Sequence, residues 1–235
     1  RVVPLLAKHP DIKAVVPLTE EDLFCSELYA EYKDLYDRHF FAGAGYSFKP
    51  FFIREYLRQI PVGEYILWHD SSPEIWPRSG PDYNELRLQP LLELCDANSG
   101  ILIPFWTDPA HTHRRYTQPA CLRLMRLEHL QHERQGSASW VLVRKCDFTM
   151  RLVETWLAYI KQPACAETHD EARIRRSIPE FAQNRHDQSV LSLLLLKHNL
   201  RTADACRNHA FNLKNIFCGV LPASAATGAP SGSEP

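Results

Sequence analysis

A carboxylate follows the end of an apolar run that predicts a buried strand. Residues 65–68 are Tyr-Ile-Leu-Trp, Asp70 comes two positions later, and Ser71 and Ser72 follow it. In open α/β sheets, ligands bind beyond the carboxyl ends of the strands. A carboxylate at such a place can hold a hard divalent cation that also binds phosphate oxygens. The alternative is that Asp70 only forms a turn or caps a helix, which is the commoner role of an acid after a strand.

A second polar cluster, Arg185-His186-Asp187-Gln188-Ser189, directly precedes the apolar segment 190–196. His186 and Asp187 lie side by side at the start of this segment, and the density of polar groups is unusual for a simple helix cap. The alternative is a plain helix N-cap formed by the side chain of Asp187 or Ser189.

A third cluster is the turn Gly43-Ala44-Gly45-Tyr46 with the Lys49-Pro50 pair that follows it. Apolar residues at helical spacing come next, so Lys49 is predicted at a helix start, where an anion is favourably placed. The spacing is not that of a Walker phosphate loop, and the chain contains no Gly-x-Gly-x-x-Gly fingerprint. Alone, a Lys-Pro pair indicates little.

Together, the order and spacing of these motifs resemble a family of small glycosyltransferase-like proteins with a GT-A fold. Such proteins are found in bacterial surface-polysaccharide loci, in large viruses and in some eukaryotes. The matching segments are 45–50, 63–70, 137–140 with 154–157, and 184–194, so the resemblance covers about residues 11–200. The last segment is the most specific, although Asn184 stands where the family pattern has His.

The resemblance implies transfer of a sugar from a nucleotide-sugar donor to a hydroxyl of a glycan or glycolipid acceptor. It implies that Asp187 and His186 are catalytic, with Asp187 as the base that activates the acceptor or as a carboxylate that orients the sugar, and with His186 holding the donor phosphates or the metal. It also implies that Asp70 and His186 are metal ligands for Mn²⁺ or Mg²⁺, which would neutralise the departing diphosphate. The donor-binding candidates are Lys49, Tyr46, Asp70, Ser72, Arg185 and Gln188. Ser72 replaces the second acid of the family's Asp-x-Asp motif, so a single carboxylate would bind metal more weakly.

Two other functions are compatible with the same residues. A non-catalytic nucleotide-sugar or carbohydrate-binding domain is favoured by Ser72. It is also favoured by the short stretch before the first motif, where either residues 1–6 are a remnant of the family's nucleotide-binding strand or the sequence begins after that strand. The intact segment 185–189 disfavours it. A metal-dependent hydrolase would use His69, Asp70, His186 and Asp187. It is disfavoured because the 11 histidines include no His-Glu-x-x-His spacing.

Alternating strand and helix patterns are predicted to position these motifs. Strands are expected at 12–16, 65–68, 100–105 and 138–144, and helices at 23–39, 49–60, 90–98, 122–132, 148–160 and 190–198. Segments 107–118 and 161–185 are expected to be polar loops, the second long enough to hide a short element. The fold class predicted is α/β, a GT-A-like, mostly parallel central sheet flanked by helices. Residues 1–221 are expected to form this single domain, and residues 222–235 a disordered tail or linker.

Composition narrows the class of protein further. The chain has 27 Lys+Arg and 28 Asp+Glu, a balance that disfavours a nucleic-acid binder. Its apolar runs are too short to span a bilayer. The seven cysteines include no Cys-x-x-Cys pair, so we expect free thiols, and a cytoplasmic protein that is at most peripheral to a membrane. No sequence pattern indicates the oligomeric state.

Overall fold

The computed structural model describes residues 10–38, 46–70, 88–104, 108–166 and 171–200. Ser72, the Gly43-Ala44-Gly45 turn and the predicted tail at 222–235 lie outside these ranges.

Helices make up most of the described chain. We number them α1 (Glu20–Phe24), α2 (Glu27–Arg38), α3 (Phe48–Gln59), α4 (Gln89–Ala97), α5 (His113–Tyr116), α6 (Pro119–Met125), α7 (Asp147–Ile160), α8 (Pro163–Ala166), α9 (Glu171–Ser177) and α10 (His186–Lys197). A short 3₁₀ turn covers Glu128–Leu130. None of these helices is both long and apolar enough to cross a membrane.

Three strands form one antiparallel sheet: β1 (Tyr65–His69), β2 (Ile101–Leu102) and β3 (Trp140–Arg144), in the order β1-β3-β2. In β1 and β3, Tyr65 lies opposite Arg144 and His69 lies opposite Trp140. The end of β1 therefore lies beside the start of β3. This register decides which residues meet at the candidate site.

The predicted GT-A-like, mostly parallel sheet is wrong, because the described residues form only this small antiparallel sheet among ten helices. Alternating strand and helix patterns do not fix strand direction, since a long connection can return a strand either way. The expected strand at 12–16 is also absent. Val16 is 53% exposed, and this segment ends at Pro17 without pairing.

The sheet separates two apolar clusters, because side chains of successive strand residues point to opposite faces. Val141 and Val143 belong to a large cluster shared with α3, α7 and α10, whereas Trp140 and Leu142 belong to a smaller cluster. Leu91 and Cys95 of α4 cover the smaller side. The sheet is thus a middle layer, with helices on both faces.

Two segments predicted as loops contain helices. Segment 107–118 includes α5, and segment 161–185 includes α8 and α9. The last apolar helix begins earlier than predicted, at His186, so that Asp187 lies in its first turn rather than at its cap. Arg185 is the N-cap residue, and its side chain makes no capping hydrogen bond.

Candidate functional site

The ammonium group of Lys49 lies between the carboxylates of Asp70 and Asp187. Its Nζ atom is 3.2 Å from Asp70 Oδ1 and 3.0 Å from Asp187 Oδ2. It also donates a hydrogen bond of 2.8 Å to the carbonyl oxygen of Ala138. The contact with Asp187 is close enough for an ion pair, although its angle is not that of a hydrogen bond. The structure thus brings together one residue from each of the three predicted clusters.

Each member is placed by the end of a regular element. Lys49 is the second residue of α3 and Asp187 the second residue of α10, so two helix N-termini converge on the cluster. Asp70 directly follows β1, and Ala138 lies two residues before β3. β1 and β3 are antiparallel, so the last residue of β1 lies opposite the first residue of β3. Asp70 and Ala138 are therefore at the same end of the sheet.

Asp70 is held by its neighbours in the strand region. Its Oδ1 atom accepts a hydrogen bond of 2.8 Å from the indole Nε1 of Trp68, and its backbone N–H donates to the carbonyl of Ser139. About a third of its side chain is exposed (33%). Asp70 is therefore the more accessible of the two carboxylates.

Asp187 and Lys49 are both buried, and their charges depend on each other. Burial raises the pKa of Asp187 to about 6, against the lowering effect of the Lys49 charge, while Asp70 raises it further. For Lys49, burial alone would lower the pKa, but Asp187 and Asp70 outweigh burial and the pKa is raised. At neutral pH Lys49 therefore keeps its proton, and Asp187 is mostly ionised.

The backbone around Asp187 is fixed from a second direction. Trp156 of α7 is fully buried, and its Nε1 donates a hydrogen bond of 2.9 Å to the carbonyl of Asp187. The preceding residue, His186, has a φ of 42°, in the left-handed region that a residue with a side chain rarely adopts. A strained residue next to the central carboxylate is a pattern associated with functional sites.

The His186 side chain contacts other groups than this cluster. Its Nδ1 atom is 2.9 Å from the carbonyl of Ala166, which can only accept, and 3.3 Å from the Nδ2 of Asn184, which can only donate; the shorter contact favours a proton on Nδ1. Burial lowers the pKa of His186, so the ring is neutral at pH 7. Its ring centroid lies 6.0 Å from that of Tyr46.

The described residues do not by themselves form a divalent cation site. No three His, Cys, Asp or Glu side chains in these ranges come together as a metal would require. Both oxygens of Asp70 already face the Lys49 ammonium, at 3.2 and 3.3 Å. A divalent cation at Asp70 would be repelled by that ammonium unless Lys49 moved away.

Gln188 belongs to a buried polar network behind the cluster. Its Nε2 donates a hydrogen bond of 2.7 Å to Gln135 Oε1, and Gln135 Nε2 donates in turn to Ser189 Oγ at 3.0 Å. Gln188 Oε1 accepts from the N–H of Ala138, the residue whose carbonyl binds Lys49. The geometry favours a role for Gln188 in positioning Ala138, rather than in holding a donor.

His113 is a buried member of this network that the sequence pattern did not indicate. Its ring nitrogens are 2.8 Å from Thr117 Oγ1 and 3.0 Å from Ser192 Oγ, and burial lowers the pKa of His113 to about 3. His113 and Thr117 are four residues apart, which is the spacing of neighbours on one face of a helix. This spacing is the feature of the sequence that could have indicated a helix here. The polar composition of segment 107–118 had predicted a solvated loop instead.

Tyr46 and Arg185 lie at the more open side of the cluster. Tyr46 is 37% exposed, and burial together with the Asp187 charge raises the pKa of its hydroxyl. The Arg185 guanidinium is half-buried, lies over the ring of Tyr116 at 5.3 Å, and feels the charge of Asp187. With Asp70, which is a third exposed, these two side chains are the described donor-binding candidates that remain within reach of a ligand.

No protein-family model, curated protein or solved structure matches this chain.

Proposed function

We propose that this protein transfers a sugar from a nucleotide-sugar donor to a hydroxyl group of a glycan or glycolipid acceptor, with Asp187 as the general base. The observation that carries the proposal is the meeting of Lys49, Asp70 and Asp187 at one end of the sheet. Parts of the motif resemblance that are far apart in the chain thus contribute charged groups to a single cluster.

Asp187 has the properties that a base of this kind needs. Its Oδ2 atom is buried and is paired with the Lys49 ammonium at 3.0 Å, so its basicity is set by burial acting against that charge. A pKa of about 6 leaves the carboxylate ionised at neutral pH and more basic than an ordinary aspartate. In the reaction, the acceptor oxygen bonds to the anomeric carbon, the bond to the diphosphate breaks, and the acceptor proton passes to Asp187.

Lys49 is better suited to holding the carboxylates than to binding the donor. Its ammonium has three N–H donors, and Ala138, Asp70 and Asp187 already surround it within 3.3 Å. The donor diphosphate then needs another cation, and Arg185 is the candidate because its guanidinium lies beside the cluster and can bind phosphate with two hydrogen bonds.

That the site binds a divalent cation, and that Ser72 contacts the donor, are predictions from the motif resemblance. If Mn²⁺ or Mg²⁺ binds with the donor, most of its ligands must come from the diphosphate and from residues outside the described ranges. We assign no step of the reaction to the metal.

The decisive experiment compares the wild-type chain with Asp187→Asn. Nucleotide sugars are screened by thermal shift, with and without Mn²⁺ or Mg²⁺, and turnover is measured with the donor that binds. We expect the variant to keep donor affinity within a few fold and to lose turnover by about 100-fold or more, as for loss of a general base.

Asp108→Asn is the matched control, because Asp108 is an exposed acid that accepts a backbone hydrogen bond from Ala110, which asparagine can also accept. It should retain wild-type turnover. Wild-type turnover in Asp187→Asn would remove Asp187 as the base. Donor binding without turnover in the wild-type chain would favour the non-catalytic binding domain, and no binding of any nucleotide sugar would overturn the proposal.

A further inference from the structure

Two buried cysteines from different helices lie in direct contact. Cys121 is in α6 and Cys165 is in α8, each is 1% exposed, and their Sγ atoms are 2.8 Å apart. Both are free thiols in this structure, as are the other three described cysteines. A small approach of the two sulfurs would reach the length of a disulfide bond.

The surrounding contacts show what such a bond would hold together. Asn184 bridges the two cysteine-bearing helices: its Oδ1 accepts from the N–H of Gln118 at the start of α6, and its Nδ2 donates to the carbonyl of Cys165. The next residue of α8, Ala166, accepts the hydrogen bond from His186. The backbone leading into Asp187 is therefore fastened to the two helices that the thiols join.

We propose that Cys121 and Cys165 form a disulfide bond that locks α6 to α8 and thereby fixes the segment Asn184 to Asp187. The bond forms by exchange with a small-molecule disulfide, such as oxidised glutathione. One cysteine thiolate attacks it and releases one glutathione thiol, and the second cysteine then attacks the mixed disulfide and releases the other. The protein loses two thiol protons and two electrons, and both electrons leave in the two glutathione thiols.

Bond formation belongs to folding rather than to the folded state. The hydrogen bond with Cys165, followed by burial, raises the pKa of Cys121 well above its usual value, so the attacking thiolate is scarce once the core is closed. Both sulfurs are also shielded from a small-molecule disulfide by the surrounding core. Once formed, the bond is protected from reductants in the same way.

The test is oxidative refolding of the full chain. The denatured protein is refolded in reduced and oxidised glutathione, or in excess dithiothreitol, and the remaining thiols are alkylated under denaturing conditions before digestion and mass spectrometry. We expect a cross-linked peptide pair containing Cys121 and Cys165 only after oxidative refolding. The oxidised protein should also melt about 5–15 °C higher, because the bond closes a loop of more than forty residues. Amide hydrogen exchange at residues 184–187 should slow in the same sample.

Two variants make the outcome specific. Cys121→Ala with Cys165→Ala should show the same melting temperature under both conditions, whereas Cys95→Ala, which removes a buried thiol on the other side of the sheet, should keep the oxidised-minus-reduced difference. If the double variant does not fold, peptide mapping of the wild-type protein still decides. Full alkylation of both Cys121 and Cys165 after oxidative refolding, or pairing of either with another cysteine, would overturn the proposal.

Discussion

The pairing of Lys49 with two carboxylates sets the charge of the site. A buried ammonium without counter-charges would lose its proton, and a buried carboxylate without an ammonium would gain one. Here Lys49 keeps its proton because Asp70 and Asp187 lie within 3.3 Å. Asp187 nevertheless keeps a raised pKa, since burial outweighs its ion pair. One side chain is thus stabilised in its charged form while its partner is poised to accept a proton.

The pH dependence of activity should follow Asp187. Its pKa of about 6 means that the proportion of ionised base falls as the pH drops through 6. We expect kcat/KM to be constant above about pH 7 and to decline by about tenfold for each pH unit well below 6. A pH–rate profile measures this, and an unchanged rate at pH 5 would contradict the assignment of Asp187 as base.

The same shift acts on stability with a defined sign. The folded pKa of Asp187 lies above the unfolded value of 3.8, so between about pH 4 and 6 the folded state binds more protons. This group's contribution to the unfolding free energy therefore falls as the pH rises through that window. Subtracting the pH dependence of unfolding measured for Asp187→Asn from that of the wild type isolates it.

Gly100 shows how one turn positions the sheet. It follows α4 with a φ of 88°, and a Cβ there would lie 3.2 Å from Thr149 Cγ2 and 3.5 Å from Arg144 Cβ. Gly63 has a similar φ of 91°, but a Cβ at this residue would meet no other atom within 4 Å. The two glycines share a backbone requirement and differ in the space around them.

We therefore expect Gly100→Ala to destabilise the protein more than Gly63→Ala. Each substitution costs about 1–2 kcal/mol for a left-handed backbone, and Gly100→Ala adds the cost of displacing Thr149 or Arg144. Urea unfolding of both variants measures the difference. Equal losses would show that the turn absorbs the added methyl group.

The strand and helix patterns predicted many of the local elements but not their arrangement; the strand expected at 12–16 is absent, and α5 lies in a segment expected to be a loop. The strands predicted at 65–68 and 138–144 are β1 and β3, the second beginning only at Trp140, and the helix predicted at 148–160 is α7, which begins at Asp147. Strand direction and the pairing of Lys49 with Asp187 are non-local, since no neighbouring residue specifies them. The burial of His113 could not be predicted from the local sequence either. Its ring is buried against Ser192, which comes from a distant part of the chain.

The two apolar clusters should contribute independently to stability. Leu91 of α4 and Ile160 of α7 are both buried and belong to clusters on opposite faces of the sheet. We expect Leu91→Ala to cost about 2–5 kcal/mol and Ile160→Val about 0.5–1.5 kcal/mol. The destabilisation of the double variant should equal the sum within about 0.5 kcal/mol, because the two residues belong to separate clusters.

Leu157→Ala combined with Ile160→Val is the comparison pair, since these two residues lie one helical turn apart in the same cluster. Their effects should depart from additivity by more than about 0.5 kcal/mol. A similar departure for Leu91→Ala with Ile160→Val would mean that packing on one face of the sheet depends on packing on the other face.

The distance along the chain between Lys49 and its partners has a consequence for folding. Asp70 is 21 residues away, Ala138 is 89 residues away, and Asp187 lies still farther along the chain. Contacts of such separation form late, because long loops must close first. A partly folded chain that buries Lys49 before α10 has docked leaves this ammonium short of one counter-charge, and is penalised for it. We therefore expect the interior around Lys49 to close only after α10 has docked.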